Sequence, residues 1–337
     1  MSNKQLSDIK YSVLDLAPVL EGGSPAQSFK NTVNLAQNAE RLGFTRYWMA
    51  EHHNMPFIAS SATAVAISHV AHHTTSIRVG SGGIMLPNHA PLIIAEQFGT
   101  LETLFPDRID LGLGRAPGTD QTTAHALRRN LDSHAENFPD MVEELRGYFN
   151  PSKSTGLRSI RAIPGEGLNI PIWLLGSSGF SAQLAGQLGL PFSFASHFSP
   201  NNTLGALDLY RRKFTPSEVL EEPYVMVGVN VIAADTDEEA QRLATSLYQQ
   251  FLNLVRNTNM LLQPPVDNME EVWTEHEKHA LQQQLGASII GGPEKVKREL
   301  QEFLDSTQAD EMMIISQIYD HEARVRSYEI VSELMNN

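Results

Sequence analysis

Phe44-Thr45-Arg46-Tyr47-Trp48-Met49-Ala50-Glu51-His52-His53-Asn54-Met55 is the stretch on which the reading of this chain turns. Its short aromatic and apolar run has the composition of a buried strand, and it stops abruptly in Glu-His-His. Hydrophobic residues carry such a strand inward, so the ionisable groups emerge at its C-terminal end. In a parallel α/β protein, that end is where ligands bind. Histidine is the side chain most easily poised to exchange protons near neutral pH. A glutamate directly before two histidines can orient one ring and leave the other facing a substrate. The plainer reading is a set of hydrogen-bonded residues closing the top of a strand.

Outward from this stretch, the pattern alternates. Ile9 to Ala17 reads as a strand ended by Pro18, and residues 25–42 have helical spacing up to Gly43, a C-cap residue type. Downstream come a helix over 59–73, a strand over 77–83, a helix over 91–104 opened by Pro91, and a strand over 108–115. Helical character returns across 120–149, and 150–169 reads as a connection. A strand over 171–175 is followed by Gly176-Ser177-Ser178 and a helix to Leu188. A strand over 191–195 ends at Ser196-His197, and a helix over 202–213 precedes a strand over 224–232. A long helix then runs from Asp235 to about Arg256. Residues 258–292 break the rhythm, and helix 293–305, strand 312–316 and helix 320–335 complete the chain. Eight strands alternating with helices predict one (β/α)8 barrel across 1–337 rather than an open doubly wound sheet. Residues 258–292 are then an insertion between units seven and eight, polar enough to be expected as a lid.

Composition narrows the function. With 337 residues, 41% of them hydrophobic, the chain can bury a sizeable core. The absence of cysteine excludes thiol nucleophiles, disulfides and cysteine-ligated zinc, and suits a reducing cytoplasm. Neither a membrane-length apolar run nor a signal-peptide region is present in the sequence. A net charge of −14 argues against general binding to nucleic acid or anionic membrane. Any phosphate must therefore be held by local donors.

In a barrel, the loops after the strands form one rim, carrying Glu51-His52-His53, Gly80 to Gly83, Gly114 to Asp120, Gly176 to Ser178, and Ser196-His197. The Gly176-Ser177-Ser178-Gly179-Phe180-Ser181 turn is the phosphate candidate, because free N–H groups and the helix dipole point at the rim there. Its plain alternative is a serine N-cap. Arg115 supplies a cation for that anion or, equally, a surface ion pair. Gly80 to Gly83 lets a flat ring lie against backbone, or makes a tight turn. Gly112-Leu113-Gly114 lacks dinucleotide-motif spacing. His69, His72 and His73 close a predicted helix, and His276 and His279 lie in the insertion. No His-Glu-x-x-His pattern accompanies them, so no metal site is expected.

These segments, in their order and spacing, resemble the bacterial-luciferase-like flavin monooxygenases from the first strand to the last helix. The resemblance is carried by Gly43-Phe44, Tyr47 to His53, Val79 to Pro87, Pro91 to Glu96, Gly112 to Arg115, and Gly176 to Ser178 through Gly189-Leu190-Pro191. It implies a barrel that binds reduced FMN and activates O2 through a C4a-peroxyflavin to oxygenate a small organic substrate. The reductant is NAD(P)H, used directly or through a separate flavin reductase. The family's catalytic histidine falls on His52, with Glu51 and His53 beside it in the flavin site. Its non-prolyl cis peptide falls on Gly82–Gly83, beneath the ring. Its phosphate ligands fall on Arg115, Ser177, Ser178 and Ser181, while His197 sits on the rim toward substrate. A homodimer packed through barrel helices is also implied. Two features depart from the family: Gly114 stands where the luciferases carry a reactive cysteine, and Arg128 and Arg129 are out of register with a second phosphate arginine. Light emission is therefore not implied. A deazaflavin-dependent hydride-transfer enzyme and a non-catalytic flavin-binding protein remain the competing readings.

Overall fold

The computed structural model describes residues 4–127, 137–150 and 160–336. Nine strands form among these residues: β1 (Lys10–Asp15), β2 (Arg46–Met49), β3 (Arg78–Met85), β4 (Ile109–Gly114), β5 (Ile172–Gly176), β6 (Phe192–Phe194), β7 (Val225–Ala233), β8 (Ile289–Gly291) and β9 (Glu311–Ile315). Every pairing among them is parallel. Pairings of β6 with β7, β7 with β9, and β9 with β1 close eight of the strands into a barrel. The expected (β/α)8 barrel is thus the observed fold.

Eleven α-helices accompany these strands among the described residues: α1 (Pro25–Arg41), α2 (Thr63–His72), α3 (Pro91–Leu104), α4 (Gln121–Leu127), α5 (Phe138–Phe149), α6 (Gly179–Leu188), α7 (Thr203–Lys213), α8 (Asp237–Val255), α9 (Glu275–Leu285), α10 (Pro293–Thr307) and α11 (His321–Met335). Local sequence explains their limits. Ser24 accepts the Gln27 N–H ahead of Pro25, and Gly43 leaves α1 at φ +83°, a left-handed turn that favours glycine. Arg128, Arg129 and part of the 150–169 connection lie outside the described residues.

Alternation along each strand separates two cores. Tyr47 and Met49 join the outer core between barrel and helices, while Trp48 and Ala50 join a lumen cluster with Leu14, Trp173, Met226, Met313 and Ile315. At the N-terminal end of the barrel, Arg46 pairs with Asp110 at 2.7 Å and Glu311 at 3.0 Å, and Arg78 with Asp110 at 2.7 Å. Trp48 Nε1 donates to the same Asp110 carboxylate. These buried charges satisfy one another, as burial in low dielectric requires. That end is plugged, which leaves chemistry to the other.

The break after β7 begins earlier than residue 258. Helix α10 packs between α7 and α11 as the barrel helix of this unit, whereas α8 packs on β8 and α9. Strand β8 extends the top of β7, pairing Val231 with Ile289. The added layer has its own core of Leu243, Leu247, Phe251, Leu281, Leu285 and Ile290. The 258–292 segment therefore buries apolar side chains despite its polar average. It meets the rim at Leu262, whose N–H donates to Val19 O and whose carbonyl accepts from Glu21 N. No helix among the described residues is long and apolar enough to cross a membrane.

Candidate active site

The site starts at the end of β2. Glu51 is 1% exposed, and its carboxylate accepts from Met85 N (2.9 Å), His53 Nε2 (2.8 Å), Asn88 Nδ2 (3.2 Å) and His89 Nε2 (3.0 Å). Burial works to raise its pKa. The hydrogen bonds from His53, His89 and the Met85 amide outweigh burial and hold it at about 2. Of the two adjacent histidines, Glu51 orients His53 and leaves His52 free. His89 and Asn88 were not legible as partners, because only the turn after β3 brings them back over β2.

The His52 ring Nδ1 lies 3.3 Å from the carbonyl oxygen of Gly118, and burial lowers its pKa. Gly118 has φ +65°, and a Cβ there would lie 2.9 Å from the Glu51 carbonyl, so only glycine brings this carbonyl in. Across the barrel, His197 follows β6. Its Nδ1 is buried with no hydrogen-bond partner among the described residues, and burial, followed by the nearby His52 ring, pushes its pKa down to about 4. A Cβ at Gly228 on β7 would lie 2.5 Å from that Nδ1. Asn230, two residues on, donates to the His197 carbonyl at 2.9 Å and reaches Ser288 Oγ at 3.3 Å, tying the added layer to the site. Gly228 and Asn230 carry no sequence signal for this role beyond their place on an inward face.

Beside Leu14 and Trp48 of the lumen, Gly82 and Gly83 make a floor of peptide without side chains. The Gly82–Gly83 bond is cis, as the resemblance implied. A Cβ at Gly82 would lie 2.7 Å from Leu14, and one at Gly83 would lie 2.8 Å from the Gly112 carbonyl. At the start of α6, the Arg115 guanidinium lies over the Phe180 ring, 4.2 Å from its centroid. Among the described residues Arg115 makes no ion pair, so its charge is not already neutralised. Ser178 occupies the N-cap position without making a capping bond. Ser177 lies beside it with its carbonyl held by Ser199 Oγ at 3.0 Å, and Ser181 is buried in the first turn. Arg115, Ser177, Ser178 and Ser181 are thus gathered at one helix N-terminus, a geometry suited to an anion. No cluster able to hold a metal ion occurs among the described residues.

A family profile described as luciferase-like monooxygenase matches residues 9–311. The chain is 61% identical over 337 residues to the uncharacterised protein YvbT of Bacillus subtilis, covering 100% of both chains. It is 32% identical over 330 residues to the N-acetyl-S-alkylcysteine monooxygenase of the same organism, covering 96% of this chain and 98% of the other. Among solved structures, apo-MsnO8 superposes with a TM-score of 0.86 at 34% identity, covering 97% of this chain and 98% of that one.

Proposed function

The chain belongs to the luciferase-like monooxygenase family, and on that premise we propose that it binds reduced FMN and uses O2 to oxygenate a small organic substrate. Two observations carry this reading together: the side-chain-free cis Gly82–Gly83 peptide on β3, and Arg115, without an ion pair among the described residues, stacked over Phe180 at the N-terminus of α6. A flat ring fits the first and a phosphate the second, so the residues present suit a flavin mononucleotide. Bound reduced flavin supplies the electrons for O2: one oxygen atom enters the substrate and the other leaves as water.

The protein's own part is binding, orientation and proton handling. Arg115, the Ser177, Ser178 and Ser181 hydroxyls and the first N–H groups of α6 hold the phosphate. Glu51 keeps His53 and His89 fixed behind the site, so the floor and His52 keep their relative positions. His52 moves a proton at Nε2, the nitrogen not committed to Gly118. His197 faces the substrate. The 258–292 segment, tied to the rim through Leu262, limits water entry. The N-acetyl-S-alkylcysteine monooxygenase makes a thioether the first substrate group to test. NAD(P)H is assigned to a separate flavin reductase, because one relative of this chain is the oxygenase component of a flavin-dependent monooxygenase. Exposed Val65 (72%) and Leu104 (60%), beside His69, His72 and Phe105 in a cavity of about 570 Å³ between α2 and α3, suit packing of a second copy in a cytoplasmic homodimer.

Anaerobic titration with reduced FMN, followed by mixing with O2, tests the reading. The expected results are tight binding of reduced FMN, weaker binding of riboflavin, and oxygen consumption coupled to product from a thioether panel. Binding of a reduced deazaflavin in preference to FMN would replace the oxygenase with a hydride-transfer enzyme. Binding of FMN with peroxide as the sole product across substrates would favour a flavin-binding protein.

A further inference from the structure

Two neutral histidines face the mouth of this barrel, and their surroundings make them chemically opposite. We propose that His52 presents a bare Nε2 that accepts a proton, while His197 presents an Nε2–H that donates a hydrogen bond to a proton-free acceptor atom of the ligand. Only the identity of that ligand rests on the flavin reading above.

His52 is settled by its partner. The Gly118 carbonyl has no proton to give, so the ring nitrogen 3.3 Å away, Nδ1, must carry one. Burial keeps the ring neutral near pH 7, and a neutral imidazole with Nδ1–H has a lone pair on Nε2. His197 is settled by the lack of a partner. Its Nδ1 is buried against Gly228, where no side chain intervenes, and no acceptor among the described residues reaches it. A proton there would be an orphaned buried N–H, among the rarest of unsatisfied groups. The Nε2–H form, intrinsically the more stable neutral tautomer, places the proton on the other ring edge. Burial and the nearby His52 disfavour a second proton.

The ring is held in place by what surrounds it. Asn230 fixes the His197 carbonyl and reaches Ser288 at the start of β8, while Phe198 packs edge-on at 4.8 Å. Gly228 leaves room for the Nδ1–Cε1 edge of the ring against β7, so Nδ1 cannot turn outward without leaving that seat. A ligand meets a base on the β2 side and a donor on the β6 side. The atom opposite His197 is therefore an acceptor such as a carbonyl oxygen, and a hydroxyl hydrogen pointed there finds no lone pair.

The full chain, labelled with ¹⁵N in its histidine rings and free of ligand at pH 7, reports both tautomers directly. Protonated and bare nitrogens of a neutral imidazole are well separated in ¹⁵N shift. His52→Gln and His197→Gln assign the signals, and Asn variants at the same positions serve if either fails to fold. The expected result is Nδ1–H for His52 and Nε2–H for His197. The same tautomer at both positions, or an imidazolium at His197, overturns the proposal. Adding reduced FMN under anaerobic conditions forms the second arm, with binding read by calorimetry. Binding that shifts both ring signals supports two groups facing one ligand, and binding that shifts neither overturns that part. Opposite tautomers without FMN binding would sustain the pair and remove the cofactor reading.

Discussion

Replacing Arg115 with alanine isolates the step on which cofactor identity depends. The protein carries a net charge of −14, so a phosphate gains nothing from its overall field and must be held locally. Arg115 has no carboxylate partner among the described residues, and its guanidinium is held 4.2 Å from the Phe180 ring centroid in the first turn of α6. Its charge is thus oriented before ligand arrives, and little of its interaction is spent on ordering. A charge-assisted hydrogen bond contributes about 1.5–3 kcal/mol, so Arg115→Ala should weaken FMN about ten- to a hundredfold. Phe180→Ala removes only the stacking, about 0.5–1 kcal/mol, and should cost about two- to fivefold. Riboflavin lacks the phosphate, and its weaker binding should be unchanged in both variants. Fluorescence or calorimetric titration of each ligand against each protein reads all the values. Equal losses for FMN and riboflavin in Arg115→Ala would refute the reasoning, because Arg115 would then support the ring or the fold.

Glu51→Gln places an amide NH2 among four donors, and we expect about 2–4 kcal/mol lost in denaturant unfolding; a loss under about 1 kcal/mol would show that the donors re-pair without it. The same carboxylate sets an acid limit. Its folded pKa of about 2 lies below the unfolded value of about 4.3, so its stabilisation is complete above about pH 4.3 and withdrawn as pH falls toward 2. The steeper acid loss of the wild type should therefore be blunted in Glu51→Gln, and parallel pH–stability curves would contradict this. Val65→Asp with Leu104→Asp should turn a dimer into a monomer by light scattering, and a dimer surviving both changes would place the interface elsewhere. The Leu262 and Glu21 amides, which close the added segment onto the rim, should exchange faster than barrel amides and slow at least tenfold when FMN binds. Exchange rates indifferent to FMN would count against a lid.

The barrel was legible because its determinants are local. Buried parallel strands read as short apolar runs, helices as amphipathic stretches, and Pro25, Gly43, Pro91 and Gly189 mark their ends. Glu51-His52-His53 and Gly176-Ser177-Ser178 stood out because charge and hydroxyls follow directly on apolar strands. Local pattern also misjudged one element. The long helix expected from Asp235 to about Arg256 follows β7 where the barrel helix of unit seven belongs, but that place is taken by α10, because packing against α7 and α11 decides it.

Sequence alone therefore determined the strand-and-helix rhythm, the barrel and the rim positions of His52, Arg115, Ser177, Ser178 and His197. Tertiary structure alone decided which histidine Glu51 holds, that His89 joins it from 38 residues downstream, and that Gly118 claims Nδ1 of His52 from 66 residues away. It alone set the ring of His197 against Gly228 and linked Asn230 to Ser288 across 58 residues. The physical reason is the range of each interaction. Periodicity and capping act within a few residues and leave their mark on neighbouring letters. Partners across a closed barrel are chosen by register and curvature, which no local run of sequence records.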